Sequence, residues 1–149
     1  MKMFKADLYK VFDENGNLVG EQILGSTFGK KAHLKVDGEI YYHKEIGFFG
    51  GETHYNNKAG RLILKMDSVH QRIFYDGEKY TEIYYFKSKS WYNSSISLYQ
   101  FENDQLLVKF RRRYHFLKPI YEVQVEENFH NKLVILAFVF YYIKGYEDA

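Results

Sequence analysis

At 149 residues the chain can bury roughly two-thirds of its unfolded surface, and without cysteine it holds no disulfide framework, thiolate zinc site or cysteine nucleophile. Its 21 basic and 19 acidic residues leave a net charge of +2, too small to argue for nucleic acid as a partner. Aromatic residues form 19% of the chain against a single proline, a bias towards strands and away from helices.

In chain order, residues 3–12 alternate Phe4, Ala6 and Leu8 against Lys5, Asp7 and Tyr9, which predicts one half-buried strand. Residues 13–17 make a hairpin turn, because Asn15-Gly16 tolerates positive φ, and residues 18–24 return antiparallel. Residues 31–36 place Ala32, Leu34 and Val36 inward and Lys31, His33 and Lys35 outward, and Asp37-Gly38 turns them into a strand over 39–46. The glycine-rich stretch 47–60 reads as the longest loop. Leu62, Leu64 and Met66 then give residues 61–67 one apolar face. Residues 69–75, the turn Asp76-Gly77 and residues 79–86 form a third hairpin, and strands over 91–101, 105–113 and 118–125 complete the series.

Residues 133–143 read Leu-Val-Ile-Leu-Ala-Phe-Val-Phe-Tyr-Tyr-Ile, with no charge or turn residue among them. As a helix they lack a polar stripe and must be surrounded by protein or membrane. A rise of only ~16 Å falls short of the ~30 Å hydrocarbon core, which excludes a span. Many short antiparallel strands with one apolar face must stack as two sheets or close into a barrel, and closure removes exposed edges. A helix apolar on every side then belongs inside, as the plug of a wide barrel.

Side chains with chemistry are sparse. Gly25-Ser26-Thr27-Phe28-Gly29-Lys30-Lys31 is one residue short of a phosphate-cradling loop, carries Lys in place of the metal-binding hydroxyl and leads into a strand; it reads as a plain loop. Gly50-Gly51-Glu52-Thr53-His54 sets a carboxylate near an imidazole, and reads as a surface turn rather than an acid–base pair. His33, His43, His54, His70, His115 and His130 lack the close pairing of a helical metal site, so no metal is expected. Tyr41-Tyr42, Tyr84-Tyr85 and Tyr141-Tyr142 read as one core ring beside one outer ring. Asn93-Ser94-Ser95 reads as a polar turn, because the charged opening of the chain lacks the apolar run of a signal peptide or anchor. A cytoplasmic protein is expected.

One surface feature stands out. Strand alternation puts Lys109, Arg111 and Arg113 on one face, opposite Val108 and Phe110, with Tyr114, Phe116 and Leu117 beyond them. Beside an anionic membrane each cation would contribute about 1 kcal/mol while the apolar residues dip into the interface. The plain reading is a solvated face that protects a sheet edge. Arg112 falls on the inward side, which requires the strand to end or bulge there, or a buried carboxylate to pair with it.

The strands followed by Phe129-His130-Asn131-Lys132, the apolar helix and the ending Tyr146-Glu147-Asp148-Ala149 resemble the tubby C-terminal-like superfamily, which includes tubby, the phospholipid scramblases and the LURP-one-related proteins. That resemblance, carried most specifically by residues 118–125 and the helix, implies a twelve-stranded barrel around a central hydrophobic helix.

The expected fold is mainly β: one domain over residues 1–149, an antiparallel closed β-barrel of about ten to twelve strands enclosing a hydrophobic C-terminal α-helix at about 129–145. The expected role is a non-catalytic binding or scaffold module without cofactor or metal. Its partner would be anionic membrane phospholipid, bound peripherally through Lys109, Arg111 and Arg113, or another protein. The alternative is a carrier of a small apolar ligand in a lipocalin-like barrel. No nucleic-acid partner and no transmembrane segment are expected.

Overall fold

The computed structural model describes residues 1–25, 29, 31–47, 51–77, 79–88 and 95–147. Twelve strands precede one helix: β1 (Lys2–Ala6), β2 (Lys10–Phe12), β3 (Leu18–Ile23), β4 (His33–Val36), β5 (Glu39–Ile46), β6 (Glu52–Asn56), β7 (Leu62–Asp67), β8 (Arg72–Asp76), β9 (Thr81–Ser88), β10 (Ser95–Gln100), β11 (Leu106–His115), β12 (Lys118–Val125) and α1 (Lys132–Glu147). Each strand pairs antiparallel with its sequence neighbour, and β1 pairs with β12 to close the barrel. The turns obey local chemistry. Asp13 Oδ1 accepts from the Asn15 and Asn17 amides around Gly16 at φ 81°, and Asp37 and Gly38, at φ 52° and 80°, form the left-handed pair of a two-residue hairpin.

In four places the strands depart from the sequence pattern. Residues 3–12 are two strands rather than one, because Asp7 Oδ1 accepts from the Tyr9 and Lys10 amides at 2.8 and 2.7 Å and folds the chain so that Ala6 faces Val11. Leu8 is therefore exposed in the turn instead of inward. The stretch expected to be the longest loop contains β6, whose Thr53 and Tyr55 alternate with Glu52, His54 and Asn56 and which pairs with both β5 and β7. A register shift sets Leu64 opposite Tyr55 but Leu62 opposite Asn56, so Leu62 turns out and is 39% exposed. His33 occupies an outward position as expected but is buried under the Tyr42 ring, 5.7 Å between centroids.

At the other boundaries the differences are smaller. Val69 lies in the turn before β8, β10 is described from Ser95 onward with Trp91 outside the described residues, and β11 continues past Arg113 to His115.

The final helix lies inside. Asn131 caps it, its Oδ1 accepting from the Val134 amide at 3.1 Å, which places the start at Lys132, later than the pattern predicted; the helix continues through Gly145. Leu133 through Phe140 are all buried, with Leu136, Ala137 and Phe138 fully so, on every side of the helix. Their partners are the inward residues of the wall, among them Leu34, Leu64, Ile73, Leu98, Val108 and Val123. Phe86 meets Phe138 at 6.0 Å, and Phe110 stacks on Tyr142 at 6.2 Å. Each large side chain so buried contributes ~1.5–3 kcal/mol.

The wall comes close to the helix at Gly20 in β3. A Cβ added there would lie against Leu136 Cδ1 and 2.8 Å from the Lys35 carbonyl oxygen, a backbone atom that cannot swing aside. Gly20→Ala is therefore expected to cost ~1–3 kcal/mol in urea unfolding. Gly145→Ala, with nothing within 4 Å, is expected to leave stability unchanged or raise it by up to ~1 kcal/mol. Equal stability of the Gly20→Ala and parent proteins would refute the close packing.

Candidate functional site

Antiparallel order places alternate connections at opposite ends of the barrel, and the two ends differ in chemistry. Where α1 begins, Asp37, Glu39, Glu82, Tyr41, Tyr75 and Tyr80 line a broad cleft of ≈ 890 Å³ beside Asn131 and Lys132. Lys132 Nζ is 3.0 Å from both carboxylate oxygens of Asp37. Burial first, then the charges of Glu39 and Asp37 together with Tyr75, raises the Tyr41 phenol above its ordinary pKa. Tyr84, also held by burial and by Glu82, is raised as well.

Where α1 ends, a narrower cleft of ≈ 340 Å³ is lined by Gln22, His43, Glu45, Thr53, Tyr55 and the helix residues Phe140 to Gly145. Lys144 Nζ donates to Glu45 Oε1 at 2.8 Å and so lowers the pKa of that carboxyl. Burial pushes the Tyr55 phenol up. His43 packs against Tyr55 at 5.6 Å, and its Nε2 is buried without a hydrogen-bond partner among the described residues. Burial, and secondarily the Lys144 charge, hold the imidazole below its ordinary pKa, with Glu45 opposing.

The same end carries the β11–β12 arm. In β1, Ala6 faces Tyr121, so Ile120, Pro119 and Lys118 run beyond the end of β1, and at ~3.3 Å per residue the tip stands roughly 10 Å past it. The tip is a two-residue turn of the left-handed pair type, which Asn-Gly suits best. Here the pair is Phe116 and Leu117, at φ 49° and 69° and 88% and 94% exposed. Left-handed backbone costs a side-chain-bearing residue roughly 1–2 kcal/mol.

Alternation along β11 directs Lys109, Arg111 and Arg113 to the outer face as expected, with Val108 and Phe110 buried inside. Arg113 Nε lies 3.3 Å from Glu122. The ladder adds two cations that residue spacing along one strand could not reveal: Lys87 faces Ser97, which faces Lys109, and Lys5 faces Glu122, which faces Arg111. Ser95 and Ser97, small and buried, leave room for the long basic side chains on either side. Arg112 does turn inward, and the strand runs on regularly past it. Its guanidinium lies 4.7 Å from the Tyr114 ring centroid and donates to the Tyr114 hydroxyl, a contact between i and i+2 residues on one face.

The remaining sequence candidates do not form a site with these groups. Glu52 and His54 sit on the outer face of β6 with 3.9 Å between Oε1 and Nε2, beyond hydrogen-bond reach, and Lys65 shares the carboxylate at 3.6 Å. Residues 26–28 and 30 of the glycine-containing loop, and Asn93-Ser94, lie outside the described residues. Tyr42 and Tyr85 are outer rings beside the inward Tyr41 and Tyr84, Tyr85 stacking on Tyr99 at 5.1 Å. Tyr141 and Tyr142 both pack on Phe86.

His43 gives the barrel a signature in pH. Its folded pKa lies below the unfolded 6.5, so as pH falls the unfolded chain takes up the proton first. Stability is therefore lost from about pH 6.5 down to the folded pKa, and no further below it. His43→Gln should flatten that part of the urea-midpoint profile relative to the parent; identical slopes would show that the histidine is not held neutral.

No protein-family model matches the chain, and no curated protein matches it. Among solved structures, the X-ray structure of an Arabidopsis thaliana protein is similar over 96% of this chain and 91% of that one, at 11% sequence identity and a TM-score of 0.40, a likeness too slight to carry an argument.

Proposed function

We propose that this barrel is a non-catalytic module that docks peripherally on an anionic membrane surface through the β11–β12 arm. The observation that carries the reading is the tip: two large apolar side chains, almost fully exposed, held in a strained backbone conformation that a polar Asn-Gly pair would adopt freely. Strain at a solvent-facing turn is a net cost unless the side chains meet something apolar. Behind the tip lie Lys109, Arg111, Arg113 and Lys118, joined by Lys5 and Lys87, against Glu122. Cations near an anionic leaflet contribute about 1 kcal/mol each, and amphipathic residues enter the headgroup boundary. The exposed tip with cations behind it supports a surface mode of attachment; no helix among the described residues is long and apolar enough to cross a membrane.

This reading accords with membership of the tubby C-terminal-like superfamily, which we also propose on the twelve strands and the enclosed apolar helix. The cytoplasmic leaflet, rich in anionic lipid, is the proposed surface. Protein binding at the basic face is the competing use of the same residues.

A second reading has one observation in its favour. An apolar carrier needs an open lumen, and α1 fills this one; the cleft at the helix end, with the unpartnered Nε2 of His43 and the rings of Tyr55 and Tyr141, offers a smaller ligand space instead. Titration with phenol while following the His43 ring resonances should produce a saturable shift if the cleft accepts such a molecule, and none if it holds only water.

The membrane reading makes a paired prediction. Phe116→Asn with Leu117→Gly should raise stability by ~1–3 kcal/mol, because the strain disappears, while abolishing sedimentation with acidic vesicles. Replacing Lys109, Arg111 and Arg113 by Gln should weaken binding by roughly a hundredfold at low salt and reduce its salt dependence. A parent protein that ignores phosphatidylserine vesicles at low salt would remove the proposal.

A further inference from the structure

Four connections at the end where α1 finishes expose a large apolar side chain: Leu8 and Tyr9 after β1, Leu24 after β3, Val69 after β7, and Phe116 and Leu117 after β11. At the opposite end fewer connections do so. Residues 13–17, 37–38 and 102–104 are polar or glycine and 57–60 add only Ala59, while the connections after β8 and β10 expose the rings of Tyr80 and Phe101. The contrast is sharpest between the two left-handed two-residue hairpins, Asp37-Gly38 at that end and Phe116-Leu117 at this one, where hairpin chemistry favours polar residues and glycine alike.

Two of the apolar tips are neighbours of the arm. Because β1 pairs with β12, the turn over residues 7–9 is next to the arm around the rim, and the Tyr9 carbonyl accepts from the Gln22 amide at 2.7 Å, which brings the end of β3 and Leu24 to the same arc. Leu8, Tyr9 and Leu24 are 38%, 47% and 53% exposed. Asp7, the acidic residue of this turn, directs its carboxylate back onto the Tyr9 and Lys10 amides, and Lys10 follows it. The arc is thus apolar, flanked by Lys5, Lys10 and Lys118, and complementary to a surface with an apolar interior and an anionic face.

Resting on the proposed function, we infer that the rim turn Leu8-Tyr9 with Leu24 is a second membrane contact, so that the barrel docks end-on, with the C-terminal end of α1 towards the bilayer. The dimensions agree. The arm stands roughly 10 Å past the end of β1. The interfacial layer on each side of the hydrocarbon is ~5–8 Å thick. Because the 7–9 turn itself projects beyond Ala6, a tip that reaches the hydrocarbon boundary brings that turn to headgroup level, where Tyr9 has the amphipathic character favoured at that depth.

The absence of cysteine allows single labels without background. Leu117→Cys, Leu8→Cys and, at the far end, Ala59→Cys would each carry an environment-sensitive fluorophore, with vesicles of phosphatidylcholine with and without phosphatidylserine as the probe. End-on docking predicts that labels at 117 and 8 are shielded from iodide on phosphatidylserine vesicles, the first quenched by deeper and the second by shallower lipid-borne quenchers, while the label at 59 is unchanged. Shielding at 117 alone would overturn the rim contact and leave arm-mediated binding standing. Shielding at 59 equal to that at 8 would overturn the end-on orientation, and shielding nowhere would overturn both readings. Leu8→Ser with Tyr9→Ser, in the unlabelled chain, should weaken vesicle binding about tenfold or more with an unchanged melt; unaltered binding would also count against the rim contact.

Discussion

Burial of α1 on all sides is the constraint on which the rest of this structure depends. A helix satisfies its own backbone hydrogen bonds, so it can enter an apolar interior without leaving amides or carbonyls unpaired along its length. Its surface, from Leu133 to Phe140, has no polar stripe to give to water. A barrel of twelve strands, in turn, encloses more space than its own inward side chains fill. Each element is untenable alone, and each supplies the surface that the other lacks. The tolerance is narrow at Gly20, where the wall has no side chain at all because Leu136 already occupies that volume.

This mutual dependence explains what could be read from the residues. The apolar helix and the Asn-Gly and Asp-Gly turns are strong local signals, and from them the barrel, its plug and the burial of Leu136, Ala137, Phe138 and Phe140 were legible. β6 was not, because glycines and asparagines on both sides of five alternating residues carry the same composition as a loop, and only pairing with β5 and β7 makes it a strand. The split of residues 3–12 hung on one Asp7 carboxylate accepting two amides. Leu62 was misread because a register shift is invisible in a period-2 pattern. Of the candidate site, the outward row Lys109, Arg111 and Arg113 followed from alternation, whereas Lys5 and Lys87 join it only through cross-strand register. Arg112 packs on Tyr114, an i to i+2 contact on one strand face that needs no bulge.

A closed barrel with a filled lumen also restricts where function can be. Neither edges nor interior are open to a partner, which leaves the outer face and the two ends. The ends inherit opposite electrostatics from the helix. At its start the Asn131 cap and Lys132 meet Asp37, Glu39 and Glu82, acidic groups suited to the positive pole, while at its finish Lys144 sits at the negative one. These charges suit the two helix termini, so the acidic lining of the first cleft and the Lys144 of the second have a structural origin before any ligand is considered.

The apolar tips have no such origin, and that difference separates structure from function in this molecule. Phe116 and Leu117 are 88% and 94% exposed at the far end of an arm, and their left-handed backbone works against the fold that carries them. Stability would favour asparagine and glycine, as it did at Asn15-Gly16 and Asp37-Gly38 at the opposite end. Where the same left-handed hairpin takes Asp37-Gly38 at one end and Phe116-Leu117 at the other, the departure marks a turn that answers to a partner. The partner must then offer apolar surface to Phe116 and Leu117 and negative charge to the cations behind them, and an anionic bilayer combines the two.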